Sequence, residues 1–172
     1  MASKTQVHLP DDFEMVLIRT FDAPRDLVWR AWTDAKQFAQ WWGPRAFTVE
    51  AKFDLKRGGR YAFVMLGPED ARVPISGVFL EVDTGKRLVM TMDLTEVGQD
   101  WMDAYNDARG GEGKPPSITM TVTFEDAPGG ATKLTIAQCF ASREERDTNV
   151  KLGAEAGWSE SFDKLDELLV RA

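Results

Sequence analysis

The chain's 172 residues include one histidine, His8, and one cysteine, Cys139, and that scarcity closes off most covalent chemistry. A Ser-His-Asp relay needs a histidine inside a site, whereas His8 lies in a polar N-terminal stretch, and Cys139 has no histidine partner to make it a thiolate. The usual zinc ligand sets cannot be assembled from one His and one Cys, so no metal or other cofactor is expected. The remaining side chains of interest bind rather than break bonds. Trp41 and Trp42 stand side by side and are stopped by Gly43-Pro44. Met90 and Met92 repeat at two-residue spacing, which suits either plain core or a wall that adapts to an irregular shape. Gln138 is the one polar residue on the apolar parity of Leu134, Ile136 and Phe140. Pointing inward, it must find a partner, because an unpaired buried amide costs about 1 to 3 kcal/mol. A polar ligand group is one candidate; water or backbone at the strand end is the other.

The elements that hold these residues can be read from periodicity and punctuation. Residues 13–21, FEMVLIRTF, form a strand, and Asp22-Ala23-Pro24 starts a helix, with Asp22 as cap and Pro24 in the first turn. Val28, Ala31, Trp32 and Ala35 repeat at helical spacing, and Asp34 with Gln37 restarts the chain as a second short helix that ends at Gly43-Pro44. From 46 to 140, turn signals at Arg57-Gly58-Gly59, Gly67-Pro68, Asp83-Thr84-Gly85 and Ala127-Pro128-Gly129-Gly130 separate short Val-, Phe-, Thr-, Ile- and Met-rich segments, an antiparallel meander. In SITMTVTF, Ile118, Met120, Val122 and Phe124 face one way and the hydroxyl residues the other. YAFVML and GVFLEV are apolar on both parities and show no inner face. Residues 95–116 are too long for a hairpin, with a helical turn around Asp100 to Asp107, and read as a lid or a disordered segment. Ser142 and Glu145 open a last helix that would run about 45 Å at ~1.5 Å per residue. Its apolar face, Leu152, Trp158, Phe162, Leu165, Leu168 and Leu169, is interrupted by Gly153 and Gly157, which would let the sheet or a bound molecule approach the helix backbone closely, with plain close packing the favoured cause.

The composition, 43% hydrophobic and 28% charged, is ordinary for one globular domain, read here as a polar tail over 1–12 and a single domain over 13–172. The net charge of −7 repels phosphate backbones, and no run of basic residues interleaved with aromatics opposes it, so nucleic acid is not an expected partner. No apolar run approaches the ~20 residues of a membrane span, and MASKTQVHLPDDF lacks a secretory pattern; a cytoplasmic location without membrane insertion is expected.

The order strand, two short helices, meander, long helix, with WWGP, FDLKRGGRY and GWSESFDKLDELL, resembles the AHSA-like family of the START/SRPBCC superfamily from about Phe13 to Leu169. The resemblance implies an α+β helix-grip fold, a curved antiparallel sheet of about seven strands wrapped around the C-terminal helix with a cavity between them. Small residues in the helix's first half, Gly153, Ala154 and Gly157, cannot fill that gap. Trp158 and Phe162 would form one wall, with Met90, Met92, Ile118 and Met120 opposite. Tyr61, Phe63, Phe79, Gln138 and Trp42 complete the expected lining, and Trp101 with Tyr105 are lid candidates. Adjacent helical residues point about 100° apart, so one indole of the pair should plug the helix pair while the other, with Trp42 the candidate, faces the cavity mouth or solvent.

Three functions follow from the resemblance. The first is binding of an apolar, aromatic or lipid-like small molecule. The second is a cavity enzyme of the polyketide cyclase or aromatase type, with Tyr61, Glu81 and Asp163 as available acid/base groups. The third is an interaction protein: the family takes its name from a eukaryotic activator of a heat-shock chaperone ATPase. That activator carries a separate N-terminal chaperone-binding domain, for which this chain leaves no room, so a chaperone partner is not expected; a homodimer is compatible with all three.

Overall fold

Periodicity and structure agree on the path of the chain through most of its length. The computed structural model describes residues 4–171. Strands Gln6–His8 (β1) and Glu14–Phe21 (β2) precede two short helices, Arg25–Thr33 (α1) and Ala35–Trp41 (α2). Strands Thr48–Phe53 (β3), Arg60–Leu66 (β4), Arg72–Asp83 (β5) and Arg87–Asp93 (β6) lead to helix Gln99–Arg109 (α3). Strands Ser117–Ala127 (β7) and Ala131–Phe140 (β8) are followed by helices Arg143–Lys151 (α4) and Ala154–Val170 (α5). Among the described residues all eight strands join one sheet in the order β1-β2-β8-β7-β6-β5-β4-β3, and each neighbouring pair is antiparallel. This is the helix-grip arrangement, an α+β fold in which the curved sheet closes over the C-terminal helix. Among the described residues no helix is long and apolar enough to cross a membrane.

One sheet face supplies the core. Leu88, Met90 and Met92 of β6, Ile118, Met120, Val122 and Phe124 of β7, and Leu134, Ile136 and Phe140 of β8 are buried, alternating with more exposed neighbours. The α5 stripe Trp158, Phe162, Leu165 and Leu169, at helical spacing, packs on that face, and Phe162 meets Phe21 of β2 edge to face with centroids 5.5 Å apart. Arg19 shares the parity of Leu17 and Phe21 and is therefore carried inward, where its guanidinium pairs with Asp163 at 2.8 Å and with Asp166, both on α5. A buried charge is tolerated only when paired in this way.

Side-chain caps account for the starts of α2 and α4. Asp34 accepts from the N–H groups of Lys36 and Gln37 at 2.9 and 3.2 Å, and Ser142 accepts from that of Glu145 at 3.1 Å. Asp22 does not cap α1; Pro24 occupies the N-cap position without a side-chain bond. The two strands apolar on both parities also resolve. Tyr61 and Phe63 face inward; in β5 the buried parity of Val73, Ile75 and Phe79 ends at a β-bulge between Phe79 and Glu81, beyond which Val82 is the partly buried residue and Glu81 is exposed.

Three expectations are corrected. Residues 6–8, within the stretch read as a polar tail, add an edge strand to β2, which raises the strand count to eight. Pairing with a free edge requires only backbone groups, so no hydrophobic alternation announces it. The segment 95–116 contains the three-turn helix α3, which packs on α4. The last helix is not continuous: Gly153 adopts φ +88°, ending α4 and redirecting the chain into α5, whose 17 residues span about 25 Å.

Candidate functional site

The redirection at Gly153 places the first turns of α5 across the sheet at a point where its own side chains are too small to reach it. Ala154 and Gly157 leave a cavity of about 280 Å³. A β-carbon built on Gly157 would meet no atom within 4 Å, so this glycine is not the close-packing contact expected of it; it opens space. Met92, Ile118 and Gln138, from the adjacent strands β6, β7 and β8, form the sheet wall. Trp158 and Ser161 continue the α5 wall, and Trp42, Gly43 and Pro44 close a third side with Met65 and Ile75. Leu94, Trp101, Asn149 and Leu152 bring α4 and the α3 region to the same space.

The two adjacent tryptophans divide as their angular separation requires. Trp41 is fully buried between α1 and α2, and its indole N–H donates to the carbonyl of Ala31 at 2.8 Å. Trp42 lines the cavity and packs against Phe38, stacked at 4.8 Å, and against Trp158, edge to face at 5.0 Å. Such packing restricts the indoles of Trp42 and Trp158. The turn after them is tied to α5: the Gly43 N–H donates to Ser161 Oγ at 3.0 Å, and Lys164 Nζ donates to the carbonyls of Trp42 and Gly43 at 3.4 and 3.1 Å. Partial burial holds the Lys164 ammonium below its ordinary pKa, with the charge of Arg45 acting the same way.

Of the residues expected to line a site, Trp42, Met92, Trp101, Ile118, Gln138, Gly157 and Trp158 come together around this cavity. Tyr61, Phe63, Phe79, Met90, Met120 and Phe162 are buried elsewhere in the core and do not reach it. Tyr61 stacks on Phe63 at 6.1 Å and donates its hydroxyl to the Thr91 carbonyl; burial pushes its phenol well above the ordinary range, helped by the charge of Asp93. Parity identifies which residues point inward but carries no information on where along the sheet the interior is filled. Met65, Ile75, Asn149 and Ser161 were not anticipated. Ile75 and Met65 lie on strands whose inner face was not legible, and Asn149 lies off the apolar stripe read for the last helix.

The site's chemistry is that of its lining: aromatic, thioether and aliphatic groups with three polar side chains, none of them charged at neutral pH. Two polar atoms are buried without a protein partner, Gln138 Oε1 and Asn149 Nδ2. The three available proton carriers are elsewhere. Besides the hydrogen-bonded Tyr61, Glu81 pairs with Arg87 at 2.8 Å and Asp163 pairs with Arg19, both carboxylates more than two fifths exposed. Trp101 stacks on Tyr105 at 5.3 Å, and Arg109 lies 4.9 Å from the Tyr105 ring, which fixes the side chain that α3 contributes.

Comparison with known proteins places this geometry in a wider set. Residues 22–170 match the family described as activator of Hsp90 ATPase homolog 1-like protein. A solved structure from Nitrosomonas europaea is 26% identical, covers 95% of this chain and 97% of its own, and superposes with a TM-score of 0.77. Another, from Rhodobacter sphaeroides, has a TM-score of 0.82 at 20% identity, over 98% of this chain and 99% of the other. A third, from Arthrobacter aurescens, reaches 0.81 at 22% identity, over 99% and 94%. Among curated proteins none matches the chain significantly.

Proposed function

The chain belongs to the activator of Hsp90 ATPase homolog 1-like family, and from that premise we propose that it is a binding protein for a small apolar molecule held between the sheet and α5. The observation that carries this reading is the hollow beside Gly157, about 280 Å³ and lined without a charged side chain. Its size lies just below the ~300 to 1,000 Å³ of typical ligand pockets, and an apolar lining with few polar groups is their usual character. Binding there requires no group that moves a proton, which accords with the positions of Tyr61, Glu81 and Asp163 outside the lining.

Replacement of Gly157 tests it directly. Gly157→Phe would fill the hollow from the helix side, and its backbone position tolerates a side chain. Protein purified gently and extracted with organic solvent should release an apolar compound detectable by mass spectrometry, and Gly157→Phe protein, equally folded by circular dichroism, should release none. Equal recovery from both proteins, or none from either together with failure to bind naphthalene, would contradict the reading.

A further inference from the structure

Gln138 is only 3% exposed to solvent, yet its amide is only half used. Its Nε2 donates weakly to Met92 Sδ at 3.9 Å, while Oε1 has no partner in the protein. Asn149, reaching the same cavity from α4, buries an Nδ2 that likewise has none. An acceptor and a donor thus stand unsatisfied in a lining that is otherwise almost wholly apolar. Folded proteins rarely leave such groups unpaired, and a site that must hydrogen-bond its ligand rejects analogues that cannot.

Resting on the binding function proposed above, we infer that the cavity selects an apolar molecule bearing a neutral hydroxyl, which donates to Gln138 Oε1 and accepts from Asn149 Nδ2. A hydroxyl is the smallest head that does both. Charged heads are disfavoured because the lining contains no side chain of opposite charge; a carboxylate or ammonium entering this space would lose part of its hydration with no ion pair in return. A bare hydrocarbon fits the walls but strips any water from both amides and gives nothing back. The ligand class is therefore a compact hydroxylated hydrocarbon or aromatic rather than a fatty acid or an amine.

Naphthalene, 2-naphthol and 2-naphthoate share one ring system and differ only in the head, so calorimetric titration of the full chain with the three separates ring from head. At neutral pH, 2-naphthol should bind about tenfold more tightly than naphthalene, the equivalent of one ~1.4 kcal/mol difference, and 2-naphthoate should bind most weakly. Gln138→Leu should bring the naphthol-to-naphthalene ratio close to one. Should Gln138→Leu fail to fold, Asn149→Leu, on the half-buried face of α4, is expected to reduce the same ratio. Equal binding of naphthalene and 2-naphthol by the unaltered protein would overturn the inference and leave the cavity's binding role standing. So would a ratio unmoved in both variants, or a preference for the carboxylate. Absence of binding by all three would remove the underlying function as well.

Discussion

Gly153 sits at φ +88°, where a β-carbon crowds the backbone, whereas Gly157 sits in helical geometry facing open space. Alanine should therefore act with opposite sign at two positions four residues apart. Gly157→Ala is expected to stabilise the fold by about 0.5 to 1 kcal/mol, the ordinary helix-interior difference. Gly153→Ala is expected to destabilise it by about 1 kcal/mol or more, because the left-handed conformation that separates α4 from α5 is lost or strained. Urea unfolding of both variants checks the pair; two shifts of the same sign would mean that the helix break is misplaced. In sequence the two glycines are equivalent interruptions of one apolar stripe, since helical phase runs through a break that changes direction without shifting the repeat. Gln138 is the opposite case. Its inward parity was legible in the alternation of β8, but the missing partner of its oxygen depends on side chains from β6 and α4 that no local pattern connects to it.

The turn carrying Trp42 is held against α5 by bonds of unequal worth. Ser161 is buried and satisfies the Gly43 N–H, while the Arg45 and Glu167 side chains pair at 2.6 Å with about half of each exposed to solvent. Ser161→Ala should cost about 1 to 3 kcal/mol by leaving a buried donor unmade. Glu167→Gln should leave the melting temperature nearly unchanged, as exposed ion pairs usually do. Thermal melts of the two variants would expose an error in this ranking if the glutamine change proved the larger. Elements governed by local rules were legible in the sequence: the α2 and α4 starts, the alternation of β7 and β8, and the turn positions. Elements that exist because of a distant partner were not. The strand β1 borrows the free edge of β2, and α3 is fixed by its packing on α4 and by the stack of Trp101, Tyr105 and Arg109. The bulge in β5 likewise appears only when β6 is laid beside it.

For the molecule as a whole, the question is where a sheet closed over a helix is solid and where it is hollow. Near Phe162 the interior is filled by Phe21, Trp41 and Trp158, with ring centroids 5.4 to 6.4 Å away. One turn earlier on α5, Gly157 leaves the gap that Trp42, Met92 and Ile118 surround. That difference of one helical turn is why about half of the lining expected from parity lies in solid core. The six tryptophans give the hollow its own reporters, because Trp42, Trp101 and Trp158 line it and Trp29, Trp32 and Trp41 do not. Titration of isotopically labelled protein with 2-naphthol, followed through the indole N–H signals in nitrogen-proton correlation spectra, reads the site directly. Saturable shifts concentrated in the signals of Trp42, Trp101 and Trp158, with Trp29 unmoved, are the predicted result. Shifts confined to exposed backbone amides, with all six indole signals in place at saturating probe, would contradict the account.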